Sequence, residues 1–393
     1  GTRLNGGKDH ASERYIFTML NTTITKNLFI DADRNVLNRL DDDGTLVEPE
    51  YYAPIIPMIL VNGTKGIGTG FSTDIMCYNV DEIITYIKNK LTNKPNSNEI
   101  HPYYEGFKGT INKIAIDKYL IKGNYKMIGT DKIEITELPI GTWTEDYKIF
   151  LETLVADNKK TNKKQIIKSY VDMCTDSTIQ FTINLVSGTT NKLLPKKVDY
   201  GCNGLEKALR LYTTKKTSNL HLFDENQKLK KYKNVENIIE AYFPVRLNLY
   251  QKRKAYQIEE LQRIVMVLSN KARFVKEQCD DNLDLRKKKK AVVIELLNSM
   301  GFDIIDEDDG YKYLRSMTID SVEEENYTKL MDECNIREQE LEALKLKTIE
   351  NMWLEEISVL QKQYKKYKKE REDRLSGGGS KKLKIRKKKL KKK

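Results

Sequence analysis

Arg14 and Tyr15 stand side by side just beyond a basic, glycine-rich opening stretch. A phenol held beside a phosphate can form a covalent phosphotyrosine bond. The opening run, Gly1 to Leu28 (GTRLNGGKDHASERYIFTMLNTTITKNL), begins with Gly1, Arg3, Gly6, Gly7 and Lys8, a composition that regular helix does not tolerate. Ser12 and Glu13 then introduce Tyr15, Ile16, Met19 and Leu20 at helical spacing, which predicts a helix with the tyrosine in its first turn. Loop amides, cationic side chains and a helix N-terminus all favour a phosphate there. Arg14 stays protonated, so it is no base, but its guanidinium suits the charge that gathers on phosphoryl oxygens. The plainer reading is that most of the 22 Tyr are core or surface aromatics.

A second candidate is a loop. Pro54 to Val61 (PIIPMILV) reads as a buried apolar run whose two prolines limit its sheet pairing. It leads into NGTKGIGTG (Asn62 to Gly70), which lacks the Gly-Lys-Ser/Thr ending of a nucleotide phosphate loop and reads first as a tight glycine turn. That reading leaves Ile67 unexplained. A large apolar residue among small, flexible neighbours is a device for wedging between base pairs. Asp41, Asp42, Asp43 and Gly44, by contrast, read as a solvated turn, because side chains in a turn diverge and seldom share a metal.

The elements that must position these residues follow from bulk properties. A length of 393 residues suggests two or three domains with sizeable cores. Of the net charge of +12, ten charges lie in residues 376–393, which hold nine Lys, one Arg and no acid, so the body is close to neutral. Cys77, Cys174, Cys202, Cys279 and Cys334 form no CxxC pair, and with three His there is no zinc pattern; the usage points to a reducing, intracellular compartment. No apolar run approaches the ~18 residues of a membrane span, so no membrane partner is expected. The chain opens abruptly inside what reads as a folded unit and is expected to be a piece of a longer polypeptide.

Residues 1–75 read as a small α/β unit. From 76 to 245, strand-like runs (Phe107–Ile111, Lys132–Ile135 and the alternating Thr178–Leu185) accompany helices such as Trp143–Val155, predicting a second α/β domain with a basic surface. Lys215, Lys216 and Lys228 to Lys233 (KLKKYK) read equally as phosphate contacts or as solvating lysines. From Val245 the chain turns helical. Ile258, Leu261, Val265, Leu268, Ala272 and Val275 make one coiled-coil seam; Leu346, Ile349, Trp353, Ile357, Leu360, Tyr364 and Tyr367 make another. Between the seams, Ala291 to Met317 forms a knob at the tip of an antiparallel arm, with a solvated acidic turn at Asp306 to Asp309. Such a knob is useful when it meets its twin, so a homodimer is expected. Ser376 to Lys393 (SGGGSKKLKIRKKKLKKK) fits a nuclear-localisation run, a DNA tether or an engineered addition alike.

Four segments carry a resemblance. GTRLNGGKDHASERYIFTML, VEPEYYAPIIPMILVNGTKGIGTGFST (Val47–Thr73), IEITELPIGTWTEDYK (Ile133–Lys148) and YKYLRSMTI (Tyr311–Ile319) occur in the order found in eukaryotic-type type IIA DNA topoisomerases. The resemblance implies an α+β multidomain fold. Residues 1–75 would be the C-terminal part of a tyrosine-bearing winged-helix domain, and 76–245 an α/β tower supporting the arms of bent double-stranded DNA. Residues 246–375 would be a long antiparallel coiled coil whose knob, about 288–322, is a small helical dimerisation gate with Tyr311, Tyr313, Leu314 and Met317 at the contact. Residues 376–393 would be a disordered basic tail.

The same resemblance makes Tyr15 the nucleophile, with Arg14 beside it, and Ile67 the residue inserted into DNA; Arg3, Lys8, Lys65 and Thr69 would contact DNA. The reaction implied is transient double-strand cleavage through a 5′-phosphotyrosyl link, with ATP-hydrolysing strand passage through a dimeric gate. In the family a Glu and an Asp-x-Asp cluster hold Mg2+ in a preceding domain, and ATP binds a GHKL-type portion. Neither pattern occurs here, so both sites are expected outside this chain, in the rest of the same polypeptide. The chain alone is then expected to bind DNA and dimerise but to cleave poorly or not at all. Glu13 stands where many relatives carry a small residue or proline; an acid so near the nucleophile either weakens phosphate binding or, the favoured reading, caps the helix's first turn. Lys/Asn/Ile-rich usage points to an AT-rich genome such as that of a large DNA virus, and to the nucleus or a cytoplasmic site of viral DNA replication. The competing readings are a non-enzymatic DNA-tethering coiled-coil dimer and a bare scaffold; neither gives a role to Arg14-Tyr15 or Ile67.

Overall fold

The computed structural model describes residues 1–96, 99–155, 165–305, 310–317 and 324–375; the acidic turn at 306–309 and the basic tail at 376–393 lie outside the described residues. Helices and strands are mixed, in an α+β arrangement. The chain divides into two compact units, Gly1–Thr25 with Ile56–Phe243, and Lys26–Ile55 with Pro244–Lys393. The stretch 1–75, expected as one unit, is thus shared between both.

In the first unit a four-stranded antiparallel sheet runs in the order Asn124–Gly129, Lys132–Glu137, Phe181–Leu185, Ile167–Asp172. Alternation along two of these strands turns Ile133, Ile135, Phe181 and Ile183 inward, all at 0 % exposure, as a period of two requires. Helix Thr144–Val155 covers that face through Tyr147 and Leu151; the Tyr147 ring packs 5.5 Å from Phe181, and its hydroxyl donates to the Leu209 carbonyl at 2.8 Å. The strand expected from Thr178 starts only at Phe181, because Thr178 is spent on a turn, its carbonyl accepting from the Thr175 amide. A second sheet centres Lys118–Lys122 between Thr110–Ala115 and Tyr212–Lys216.

In the second unit the long helix Val235–Cys279, from Pro244 onward, runs antiparallel to Glu324–Leu346 and Ile349–Leu375. Lys254 marks the register: its ammonium donates to the carbonyls of Lys345 (2.9 Å) and Lys347 (2.7 Å), where the facing helix is interrupted and its last carbonyls lack helical donors. That interruption corrects the second seam. Trp353, Ile357 and Leu360 are buried, whereas Leu346 ends a helix and is 83 % exposed. The first seam is deepest at Leu268, Ala272 and Val275.

Beyond it, Phe274, Leu283, Val293, Leu297, Phe302, Tyr311 and Leu314 form a separate small core. This changes the reading of the gate residues. Tyr311 and Leu314 are at 0 % exposure inside that core, with the Tyr311 hydroxyl donating to the Phe302 carbonyl at 3.2 Å, so neither faces outward. Tyr313 and Met317 are half-buried at its edge.

Lys26–Ile55 joins this unit through buried charge. Arg246 donates to Asp33 Oδ2 (2.7 Å) and the Ala53 carbonyl (2.8 Å), while Arg253 donates to Asp33 Oδ1 (3.0 Å) and Glu356 Oε1 (2.6 Å). Both guanidiniums lie over the Tyr250 ring, 4.4 and 4.5 Å from its centroid, and the ring stacks on Trp353, whose indole N–H reaches the Ile55 carbonyl at 2.9 Å.

Candidate nucleic-acid interface

Residues 1–10 close into a loop against the C-terminal end of strand Lys132–Glu137. The Thr2 amide donates to Asp9 Oδ1 (2.8 Å) and its hydroxyl to the other carboxylate oxygen, bonds that hold the Asp9 carboxyl below its usual range. The Gly7 amide returns to the Thr2 carbonyl at 2.8 Å. Gly6 has φ +62° and sits on the Trp143 indole so closely that a Cβ there would overlap the ring, which is why glycine stands at that position. The resemblance implies that Arg3 contacts DNA; in the structure its guanidinium meets the carboxylate of Glu137, which is 1 % exposed. Lys8, on the same loop, is exposed.

Every residue from Lys8 to Thr23 is exposed. Glu13–Tyr15 makes a single 3-10 turn, closed by the Tyr15 amide on the Ser12 carbonyl (2.9 Å) and the Ile16 amide on the Glu13 carbonyl (3.2 Å). Ser12 makes no side-chain cap and Ile16 is extended; the first α-helix is Thr22–Leu28. The helix expected to start at Tyr15 is therefore absent. Ile16, Phe17, Met19 and Leu20 are 53–106 % exposed, and a short helix without a buried apolar face does not hold in water.

Tyr15 itself is 71 % exposed, with the Arg14 guanidinium 4.8 Å from its ring centroid. Buried and half-buried phenols elsewhere in the unit are poor rivals. Burial raises the pKa of Tyr78, and pushes Tyr104 and Tyr119 up to about 12, disfavouring the phenolate.

Lys65, Ile67 and Thr69 fall on one antiparallel hairpin, Thr64–Ile67 with Ser72–Ile75, whose turn closes through the Gly68 amide on the Phe71 carbonyl at 2.8 Å. All three are exposed, Ile67 by 92 %. The hairpin is braced from behind, which the sequence did not foretell. Phe71 packs edge-on against Phe223 (6.0 Å), Asn219 donates to the Ser72 hydroxyl (2.9 Å), and the Lys215 ammonium pairs with Asp74 at 2.8 Å. Lys215 is thus engaged in the brace. Behind the turn, burial pushes the Cys77 thiol up, so it is no rival nucleophile.

The geometry offers an exposed phenol under a guanidinium, and an apolar tip on a braced hairpin. Among the described residues no group of three or more His, Cys, Asp or Glu is placed to hold a metal ion, and no helix is long and apolar enough to cross a membrane. Residues 1–358 match the DNA gyrase/topoisomerase IV family of A-type subunits, and the chain belongs to that family. Within it, the chain is 36 % identical to DNA topoisomerase 2 of Plasmodium falciparum (isolate K1 / Thailand), with 92 % of this chain aligned to 27 % of that protein. It is 34 % identical to DNA topoisomerase 2 of Acanthamoeba polyphaga mimivirus, with 93 % of this chain aligned to 33 % of that one. The crystal structure of the Plasmodium falciparum topoisomerase II DNA-binding, cleavage and re-ligation domain matches with a TM-score of 0.81 at 36 % identity, over 96 % of this chain and 53 % of that chain. The chain therefore spans between about a quarter and a third of the length of these curated relatives.

Proposed function

We propose that this chain is the breakage-reunion core of a type II DNA topoisomerase, acting on double-stranded DNA as a homodimer. The observation that carries the reading is the exposed Tyr15 phenol with the Arg14 guanidinium at 4.8 Å from its ring. The Tyr15 oxygen forms a bond to phosphorus as the P–O3′ bond breaks; the phenolic proton is lost and the 3′-oxygen gains one, so the phosphodiester energy is kept in the phosphotyrosyl link for the reverse attack. Arg14 balances charge on the phosphoryl oxygens. In this reading residues 1–75, although divided between the two compact units, supply the C-terminal part of a winged-helix domain, 76–245 form a tower, and 246–375 a coiled coil with a dimer gate. The edge carrying Tyr313 and Met317 supplies the gate contact in place of buried Tyr311 and Leu314. Among the described residues no cluster of His, Cys, Asp or Glu is placed to hold Mg2+; in this reading the ion and ATP are bound by other parts of the polypeptide. The place of action is wherever the DNA is replicated, nucleus or cytoplasm.

The test is to supply a metal-binding region from the family with Mg2+, quench with detergent during reaction, and look for protein attached to DNA 5′ ends. No attached protein under any such condition ends the proposal. A second expectation concerns the wedge. Ile67→Ala reduces the bend measured by fluorescence transfer between duplex ends, because the few kcal/mol of unstacking per step are no longer offset by an inserted side chain. The salt dependence of binding stays as it was, and an unchanged bend removes Ile67 from this role.

A further inference from the structure

The segment Ile133–Lys148 has no chemistry of its own in the scheme above, yet it grips the loop that leads to the nucleophile. We propose that Glu137 and Arg3 form a pin that sets where the Tyr15 segment stands, making Arg3 a positioning residue and not a phosphate ligand. The proposal rests on the reading of Tyr15 as the nucleophile.

The Glu137 carboxylate is 1 % exposed, and a charge that deeply buried persists only when fully partnered. Oε1 accepts from Arg3 Nη2 and from the Leu138 amide at 2.9 Å; Oε2 accepts from Arg3 Nη1 at 3.4 Å and from the Lys108 amide at 3.1 Å. Both terminal nitrogens of the guanidinium fork are used, a task a point-charge lysine cannot perform. Around this pair the main chain is tied on both sides, the Arg3 amide to the Asp176 carbonyl (2.9 Å) and the Glu145 amide to the Leu4 carbonyl (3.1 Å). Gly6 seats on Trp143, and the Thr2–Asp9 bonds close the loop. Order therefore extends to His10, whose amide meets the Gly7 carbonyl at 3.2 Å. From His10 to Tyr15 at most about 18 Å of extended chain remains, so the pin bounds the space the phenol can visit.

Two measurements on the whole 393-residue chain decide it. Amide exchange at Arg3 and Gly7 is expected to quicken roughly ten-fold or more in Arg3→Met and in Glu137→Gln, with the double variant no faster than the faster single one, as for two residues acting through one contact. Arg3→Lys, which keeps a cation on the buried carboxylate and hence the fold, falls between. Exchange at Ile133 and Ile135 stays slow if the sheet is intact. The second measurement is the salt dependence of binding to a mixed-sequence duplex. Lys8→Met lowers the log–log slope by about 0.9, the mark of a lost phosphate contact, while Arg3→Met leaves it unchanged. Protection at Gly7 untouched in Arg3→Lys and Glu137→Gln overturns the pin. A slope drop in Arg3→Met equal to that in Lys8→Met overturns the reassignment of Arg3. If the parent chain shows no salt-dependent binding at all, the functional proposal fails, and the exchange arm still judges the pin alone.

Discussion

Replacing Tyr15 by phenylalanine removes the covalent protein–DNA adduct, with a loss of at least about a thousand-fold, while DNA affinity stays near that of the parent chain. The substitution deletes one oxygen and nothing else. The ring keeps its place under the Arg14 guanidinium, and at 71 % exposure it fills no core, so neither stability nor phosphate binding has reason to change. Arg14→Ala should act differently. It leaves the nucleophile in place but strips the cation from the developing phosphoryl charge, slowing adduct formation by roughly 100-fold. Detergent-quenched adducts on end-labelled DNA, with the family's metal-binding region and Mg2+ supplied, report both. If Tyr15→Phe still forms adduct at the parent rate, the nucleophile lies elsewhere. Tyr200 is then the residue to map, being 51 % exposed with the Lys118 ammonium donating to its hydroxyl at 2.5 Å.

The second large effect is on stability. Asp33→Ala is expected to destabilise the unit formed by Lys26–Ile55 and the long helices by about 3–5 kcal/mol. Asp33 divides its two oxygens between Arg246 and Arg253, which are 0 % and 2 % exposed at their side chains. Removing it leaves two buried guanidiniums with Glu356 as their remaining acid, 2.6 Å from Arg253 but 3.9 Å from Arg246. Thermal melting should fall by about 6–20 °C in that unit. Asp33→Asn, which keeps the hydrogen-bonding shape but not the charge, should lose less. A loss below about 1 kcal/mol in Asp33→Ala means that Glu356 alone balances the cluster, and the attachment of Lys26–Ile55 must then rest on Trp353 and its bond to the Ile55 carbonyl.

Features legible in the sequence are those whose physics is local. The glycines around Ile67 announce a turn with an exposed apolar tip, and the hairpin has one. Alternation in TIQFTINL announces a half-buried strand, found at Phe181–Leu185. Spacings of three and four announce the Leu268–Ala272–Val275 seam. The Tyr15 helix shows the limit of such reasoning. Its periodicity is present, but periodicity only makes a helix when some surface covers the apolar stripe, and none of the described residues does so.

By itself the sequence determined the chemical types available: a phenol beside a guanidinium, an apolar tip among glycines, heptad-spaced arms and the family to which they belong. Tertiary structure alone decided which charges are spent on holding the molecule together. Arg3 and Glu137 are 134 residues apart, Asp33 and Arg246 are 213 apart, and Tyr311, which the resemblance sets at the gate contact, is buried in one core with Phe302 and Leu297. A charged or aromatic side chain carries the same letter whether it meets solvent or a buried partner. Only the fold, by setting the dielectric around it and the atoms in reach, settles which of the two it meets.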